Sequence, residues 1–245
     1  MFNNLRKRIN LILTDGVGTS NSDFREEWLK NALSEIPDGL KILDAGAGES
    51  QYKKFCDHLE YISQDFAEYD GVGDSKGIQK ENRDYSSLDI VSDITSIPVS
   101  DNAFDVVMCI EVLEHVPNPV DALTELNRVL KPGGKLILTA PFASLTHYSP
   151  YHYATGFNRY FYEHHLKELN HKSVEITANG NYFEFLAQEV RRIGTISSSF
   201  SNKKPNLIIK ISMNIVLYYL NKSSKRDGGS KEILNFGYNV ISIKT

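Results

Sequence analysis

The stretch KILDAGAGES, residues 41–50, sets the reading of the whole chain. Its first half is apolar apart from Lys41 and Asp44 and has the length of a buried strand. Gly46 and Gly48 follow at once, separated only by Ala47. Glycines in that place let the backbone turn sharply and let a ligand come close to it. A dinucleotide fingerprint would put a third glycine at position 51, where this chain has Gln51. Asp44 would also set a second negative charge beside a pyrophosphate, whereas a carboxylate there suits a ligand bearing an ammonium group. A tight strand-to-helix turn without a ligand is the alternative that two glycines alone leave open.

Outward from this turn the pattern alternates between strands and helices. SDFREEWLKNALSEI sets Phe24, Trp28, Leu29, Leu33 and Ile36 on one helical face, and PDG ends that helix. LEYISQD is a second strand ending at Asp65, LDIVSDI a third, FDVVMCI a fourth and KLILTAP a fifth. Between the fourth and fifth, Asn118 caps a helix with Pro119 in its first position and KPGG at its end. Ala122, Leu123, Leu126, Val129 and Leu130 form its inner face. Such alternation predicts a doubly wound, mostly parallel α/β sheet. Residues 67–87, rich in Gly, Asp and Ser, read as a long loop where a crossover helix is expected. Further on, YFYEHHLKELN and YFEFLAQEVRRI read as helices with SVEITA as a strand between them. Residues 207–220 form a helical insertion, and FGYNVISIKT is the closing strand.

At 245 residues, 41% hydrophobic and 24% charged, the chain has the composition of an ordinary globular protein. A net charge of −4 argues against a duplex nucleic acid as partner, since its phosphates demand a basic face. INLIL near the N-terminus is too short for a signal peptide, and residues 207–220, interrupted by Lys210, Ser212 and Asn214, are too few to span a bilayer. Two separated cysteines, Cys56 and Cys109, fit a reduced cytoplasmic protein.

Acidic residues stand at successive strand ends. Asp65 is placed to accept hydrogen bonds from a ribose diol; Asp93 follows the third strand and Glu111 the fourth. Singly each reads as a turn residue, and together they describe a pocket for a cationic, ribose-bearing ligand. ILDAGAG, QDF, SDITSIPVSDNAFDVVMCIEVLEHV and LNRVLKPGGKLILTAPF, in that order across residues 40–142, resemble the motifs of class I S-adenosylmethionine-dependent methyltransferases of the type 11 kind. The resemblance implies a Rossmann-like sheet of seven strands, the last of them antiparallel. It further implies that Gly46 and Gly48 pack against the methionine part of S-adenosylmethionine and that Asp44 holds its amino group. Asp65 would take the ribose hydroxyls, and Asp93 with the backbone near Ile94 the adenine edge. Glu111 completes this rim.

The expected layout is one methyltransferase domain. It has a helical region at 1–39, the cofactor core at 40–142, a substrate lid at 143–173, and C-terminal strands with the helical insertion at 174–245. PFASLTHYSPYHYATGFNRYFYEHH follows the fifth strand, which would set it over the transferred methyl. His147 or His152 is the expected general base for an oxygen acceptor, a small molecule or glycan, with the tyrosines and Arg159 shaping its site. An aromatic loop packed on the core is the plainer alternative. Glu111, Glu114 and His115 spell E-x-x-E-H, similar to a divalent-metal set in some methyltransferases, with His147 or His152 as a fourth ligand. The same residues also serve as plain loop supports, and no metal is assigned. The insertion at 207–220 reads as a homodimer contact, a contact for a lipid-linked substrate, or a core helix. A catalytically silent cofactor-binding module is the rival to the enzyme reading.

Overall fold

The computed structural model describes residues 16–79 and 83–245. The N-terminal INLIL and the middle of the 67–87 loop lie outside these. Helix α1 (Asn21–Ser34) leads into β1 (Lys41–Ala45), β2 (Glu60–Asp65) and the two-residue β3 (Ile90–Val91). β4 (Phe104–Ile110), α2 (Pro119–Val129) and β5 (Leu130–Pro141) follow, then α3 (Arg159–Glu168) and β6 (His171–Asn179). α4 (Tyr182–Phe200) and α5 (Leu207–Ser224) precede β7 (Gly237–Lys244).

The strands form one seven-stranded sheet in the order β3-β2-β1-β4-β5-β7-β6. β1 pairs in parallel with both β2 and β4, β4 in parallel with β5, and β7 runs antiparallel to β5. β4 is apolar along most of its length because it is covered on both faces, as interior parallel strands are. The main core gathers Leu29, Leu33 and Ile36 with Ile42, Val106, Met108 and Ile137. Order reverses between β1 and β4, so the ends of these two strands open the crevice where ligands of such sheets bind.

Three local expectations are corrected. Asn118 does not cap α2 through its side chain; its amide donates instead to Asp121 Oδ2 at 2.6 Å, while Pro119 does take the first helical position. KPGG follows the end of α2 but lies inside β5, which starts at Leu130 directly after the helix and not at Lys135. The irregularity appears as a register shift opposite Phe104 and Val106, where Gly133 takes a left-handed φ. Phe24, expected on the inner face of α1, is exposed.

Among the described residues, those of 27–177 and 237–245 make one compact unit; residues 16–26 and 178–236 make a second. Within the second, Val17, Ala187, Leu217 and Leu220 form a small apolar core with Phe183, Leu186 and Val190 packed on it.

Candidate functional site

The glycine turn is built by the backbone. Gly46 N and Ala47 N both donate to Gln64 O at 2.8 Å, which binds the end of β1 to the end of β2. Gly46 and Gly48 both adopt positive φ, +78° and +54°, a region closed to most side chains. A Cβ on Gly46 would collide with the side chain of Val112, and one on Gly48 would stand 3.1 Å from Arg83 Nη1.

Asp44 and Asp65 flank this turn. Asp44 is fully buried and accepts a 2.6 Å hydrogen bond from Tyr61 Oη. Burial pushes its pKa up to about 7; the Tyr61 bond opposes that rise and the neighbouring Asp65 charge adds to it. Asp65 accepts from Gly48 N through Oδ2 and from Ala67 N through Oδ1, each at 2.9 Å. A carboxylate has about four acceptor sites, so both oxygens keep capacity for a diol. Asp93 is exposed and closes its own turn, accepting from Thr95 N at 2.8 Å and Thr95 Oγ1 at 2.7 Å, with Ile94 buried beside it. Glu111 takes a positive φ of 55° directly after β4, and its Oε1 accepts from Thr139 Oγ1 at 2.9 Å.

The loop after β5 brings the expected histidines together and adds a third. The rings of His147 and His152 lie 4.8 Å apart, those of His115 and His147 4.7 Å, and those of His115 and His152 5.7 Å. One nitrogen from each lies within 4.8 Å of the other two, so the three rings can share one cation. Tyr151 O holds His115 Nδ1 at 2.5 Å and Leu145 O holds His147 Nδ1 at 2.9 Å. Where those carbonyls accept a hydrogen bond from Nδ1–H, the free lone pair sits on Nε2. His152 Nδ1 is buried without a hydrogen-bond partner. Burial, above all, lowers the pKa of His115 to about 3 and also lowers that of His152. The E-x-x-E-H set is therefore not what the fold gathers. Among the described residues the ligand-like group is His115, His147 and His152, with Glu114 Oε1 3.7 Å from His115 Nε2.

The 67–87 loop closes onto the same place. Ile78 and His147 form a parallel bridge, with Ile78 N donating to Thr146 O and Tyr148 N to Ile78 O, both at 3.0 Å. Tyr69 packs on Tyr148 at 5.0 Å between ring centres. The Arg83 guanidinium lies 4.9 Å over the Tyr148 ring and 3.8 Å from Glu49. Arg159 pairs instead with Glu163 along α3, and Tyr162 on the same helix is fully buried with no partner for its hydroxyl. Tyr61, Arg83 and Tyr69 went unread in the sequence. Only Arg83 carries a signal there, as an arginine two residues before Tyr85 in a long loop.

Residues 43–138 match the family model of the methyltransferase domain. A demethylmenaquinone methyltransferase from Renibacterium salmoninarum is 30% identical over 66% of this chain and 62% of that protein. A ubiquinone biosynthesis O-methyltransferase from Dechloromonas aromatica is 30% identical over 47% of this chain and 50% of that protein. The chain thus spans between half and two thirds of the length of these two relatives. Among solved structures, a SAM-dependent methyltransferase from Archaeoglobus fulgidus superposes with a TM-score of 0.55 at 15% identity, covering 91% of this chain and 94% of that one. Phosphoethanolamine N-methyltransferase 2 of Haemonchus contortus, in complex with S-adenosyl-L-methionine, gives 0.50 at 17% identity, covering 90% and 52%. Residues 43–138 thus match a methyltransferase domain, and the fold is that of the class I methyltransferases.

Proposed function

We propose that this methyltransferase domain binds S-adenosylmethionine at the turn of Gly46 and Gly48 and methylates an oxygen of a small molecule or glycan. The observation that carries this reading is the pairing of buried Asp44 with Asp65, fastened to Gly48 N, at the point where strand order reverses. The donor set fits the cofactor. Asp44 offers a carboxylate to an ammonium group, Asp65 offers acceptors to a diol, and the glycines leave room that a Cβ would fill.

S-adenosylmethionine supplies a methyl already activated on a sulfonium, so the protein's part is alignment and removal of the acceptor's proton. The loop bearing His147 and His152 leaves the carboxyl end of β5, and residues 69–79 close against it. We assign the acceptor to the space beside these rings, with His147 or His152 taking its proton. The activities named for the two relatives favour a small molecule over a macromolecule. Cys56 and Cys109 are both free and buried, which suits the cytoplasm.

One observation supports a second reading of the same site. Three imidazoles in mutual reach, two oriented by carbonyls, are a ligand set for a divalent transition metal. Such an ion would polarise the acceptor oxygen in place of a base.

The test is turnover of S-adenosylmethionine to S-adenosylhomocysteine with candidate phenols and sugars, after a thermal-shift measurement of cofactor binding. Binding without turnover of any acceptor would favour the silent module. With an acceptor in hand, His147→Ala should keep cofactor affinity and slow turnover about 100-fold if the histidine is the base. Loss of activity to chelator, restored by added zinc or manganese, selects the metal.

A further inference from the structure

Between Val190 and Arg226 the chain carries eight Lys and Arg residues and no Asp or Glu, although acids outnumber bases 31 to 27 overall. Arg191 and Arg192 are engaged, with Val17 O and Glu189 respectively. Lys203, Lys204 and Lys210 remain exposed around the turn between α4 and α5, and Lys222 is exposed in the last turn of α5.

α5 has two apolar sides. Leu217 and Leu220 pack into the small core with Val17 and Ala187. Ile208, Ile211, Ile215 and Tyr219 recur at intervals of three and four residues, which lines them up on another face. All four are exposed, Ile208 at 72% and Tyr219 at 66%. Phe200, the last residue of α4, and Leu207, the first of α5, are exposed as well, at 71% and 66%.

The turn that presents them is ordered. Ser197 Oγ donates to Lys203 O at 2.7 Å, Lys203 N donates to Ser197 O at 3.3 Å, and Asn206 caps α5 by accepting from Ile209 N at 3.0 Å. The apolar side chains are therefore held out by a fixed hairpin. Contiguous exposed apolar surface of this kind marks an interaction site.

We propose that the α4–α5 hairpin docks the protein reversibly on the surface of an anionic phospholipid bilayer. The isoleucine face and Phe200 would enter the boundary between headgroups and acyl chains, and the lysines would meet the anionic headgroups. Tyr219 has the apolar body and polar tip that suit that boundary. No helix among the described residues is long and apolar enough to cross a membrane, and Lys210 interrupts the apolar run, so the helix lies in the interface. A second copy of this chain is the less favoured occupant, because it would bring like-charged lysines together across the contact. The proposal does not depend on the methyl-transfer reading.

The test is co-sedimentation of the full chain with sucrose-loaded vesicles of phosphatidylcholine, with and without 30% phosphatidylglycerol. Binding is expected only to the anionic vesicles and should weaken with added salt. The exposed double variant Ile208→Glu, Ile211→Glu should abolish it with an unchanged thermal midpoint. Lys203→Ala and Lys204→Ala should each weaken it about fivefold. Failure to sediment with anionic vesicles overturns the proposal, as does binding that the isoleucine variant leaves intact. A dimer in analytical ultracentrifugation that the same variant dissociates, without vesicle binding, would assign the face to a second copy instead.

Discussion

The side chain of Val112 occupies the place where a Cβ on Gly46 would stand. Val112, two residues past the end of β4, thus sets which residue can follow β1, across two strands that are neighbours only in space. Gly46 is needed twice, for its φ of +78° and for this close approach.

Gly46→Ala should therefore lower stability by about 1–3 kcal/mol and weaken cofactor binding together. Adding Val112→Ala removes the collision but not the backbone strain, so it should restore part of the loss. Urea unfolding and calorimetry with S-adenosylhomocysteine on the single and double variants check this. Strictly additive effects would show that the two residues do not meet.

Asp44 predicts a pH dependence. Its folded pKa of about 7 stands above the ordinary 3.8, so its share of stability is full below about pH 4 and is lost as pH rises through 7. Asp44→Asn should be more stable than the parent at pH 8, by roughly 1–3 kcal/mol, and the two should converge as the pH falls toward 4. If the carboxylate meets an ammonium group, cofactor binding near pH 6 should release a proton. Calorimetry in two buffers of different ionisation enthalpy measures that release, and none would move the ammonium elsewhere.

Asp65 joins Gly48 and Ala67 through its two oxygens. Asp65→Ala should weaken cofactor affinity by about 1.5–3 kcal/mol, the range for hydrogen bonds to a charged group. A 2′-deoxy analogue should be penalised in the parent and not in the variant. An equal penalty in both would assign the ribose to another residue.

Arg83 lies over Tyr148 and beside Gly48, where it closes the glycine turn from the loop side. Arg83→Ala should speed dissociation of S-adenosylhomocysteine about tenfold through the lost cation–π contact. An unchanged rate in stopped-flow displacement would leave Arg83 a surface residue.

The sheet was legible because its strands announce themselves locally. KILDA, FDVVMCI and KLILTAP are apolar runs bounded by turn residues, with Asp44 and the two glycines at the end of the first and Asp65 at the end of β2. Order along the chain, with right-handed crossovers, then places those ends on one edge. Tyr61 against Asp44 was not legible, since it depends on the register of β2 beside β1, which no single segment encodes. The same holds for His115, His147 and His152. The first follows β4 and the others follow β5, and only strand pairing and the Ile78 bridge bring them together. For α5 the sequence determined an apolar helix. Which side stays uncovered was decided by the partners that Leu217 and Leu220 found, because periodicity reports a helix's faces while burial depends on what packs against each.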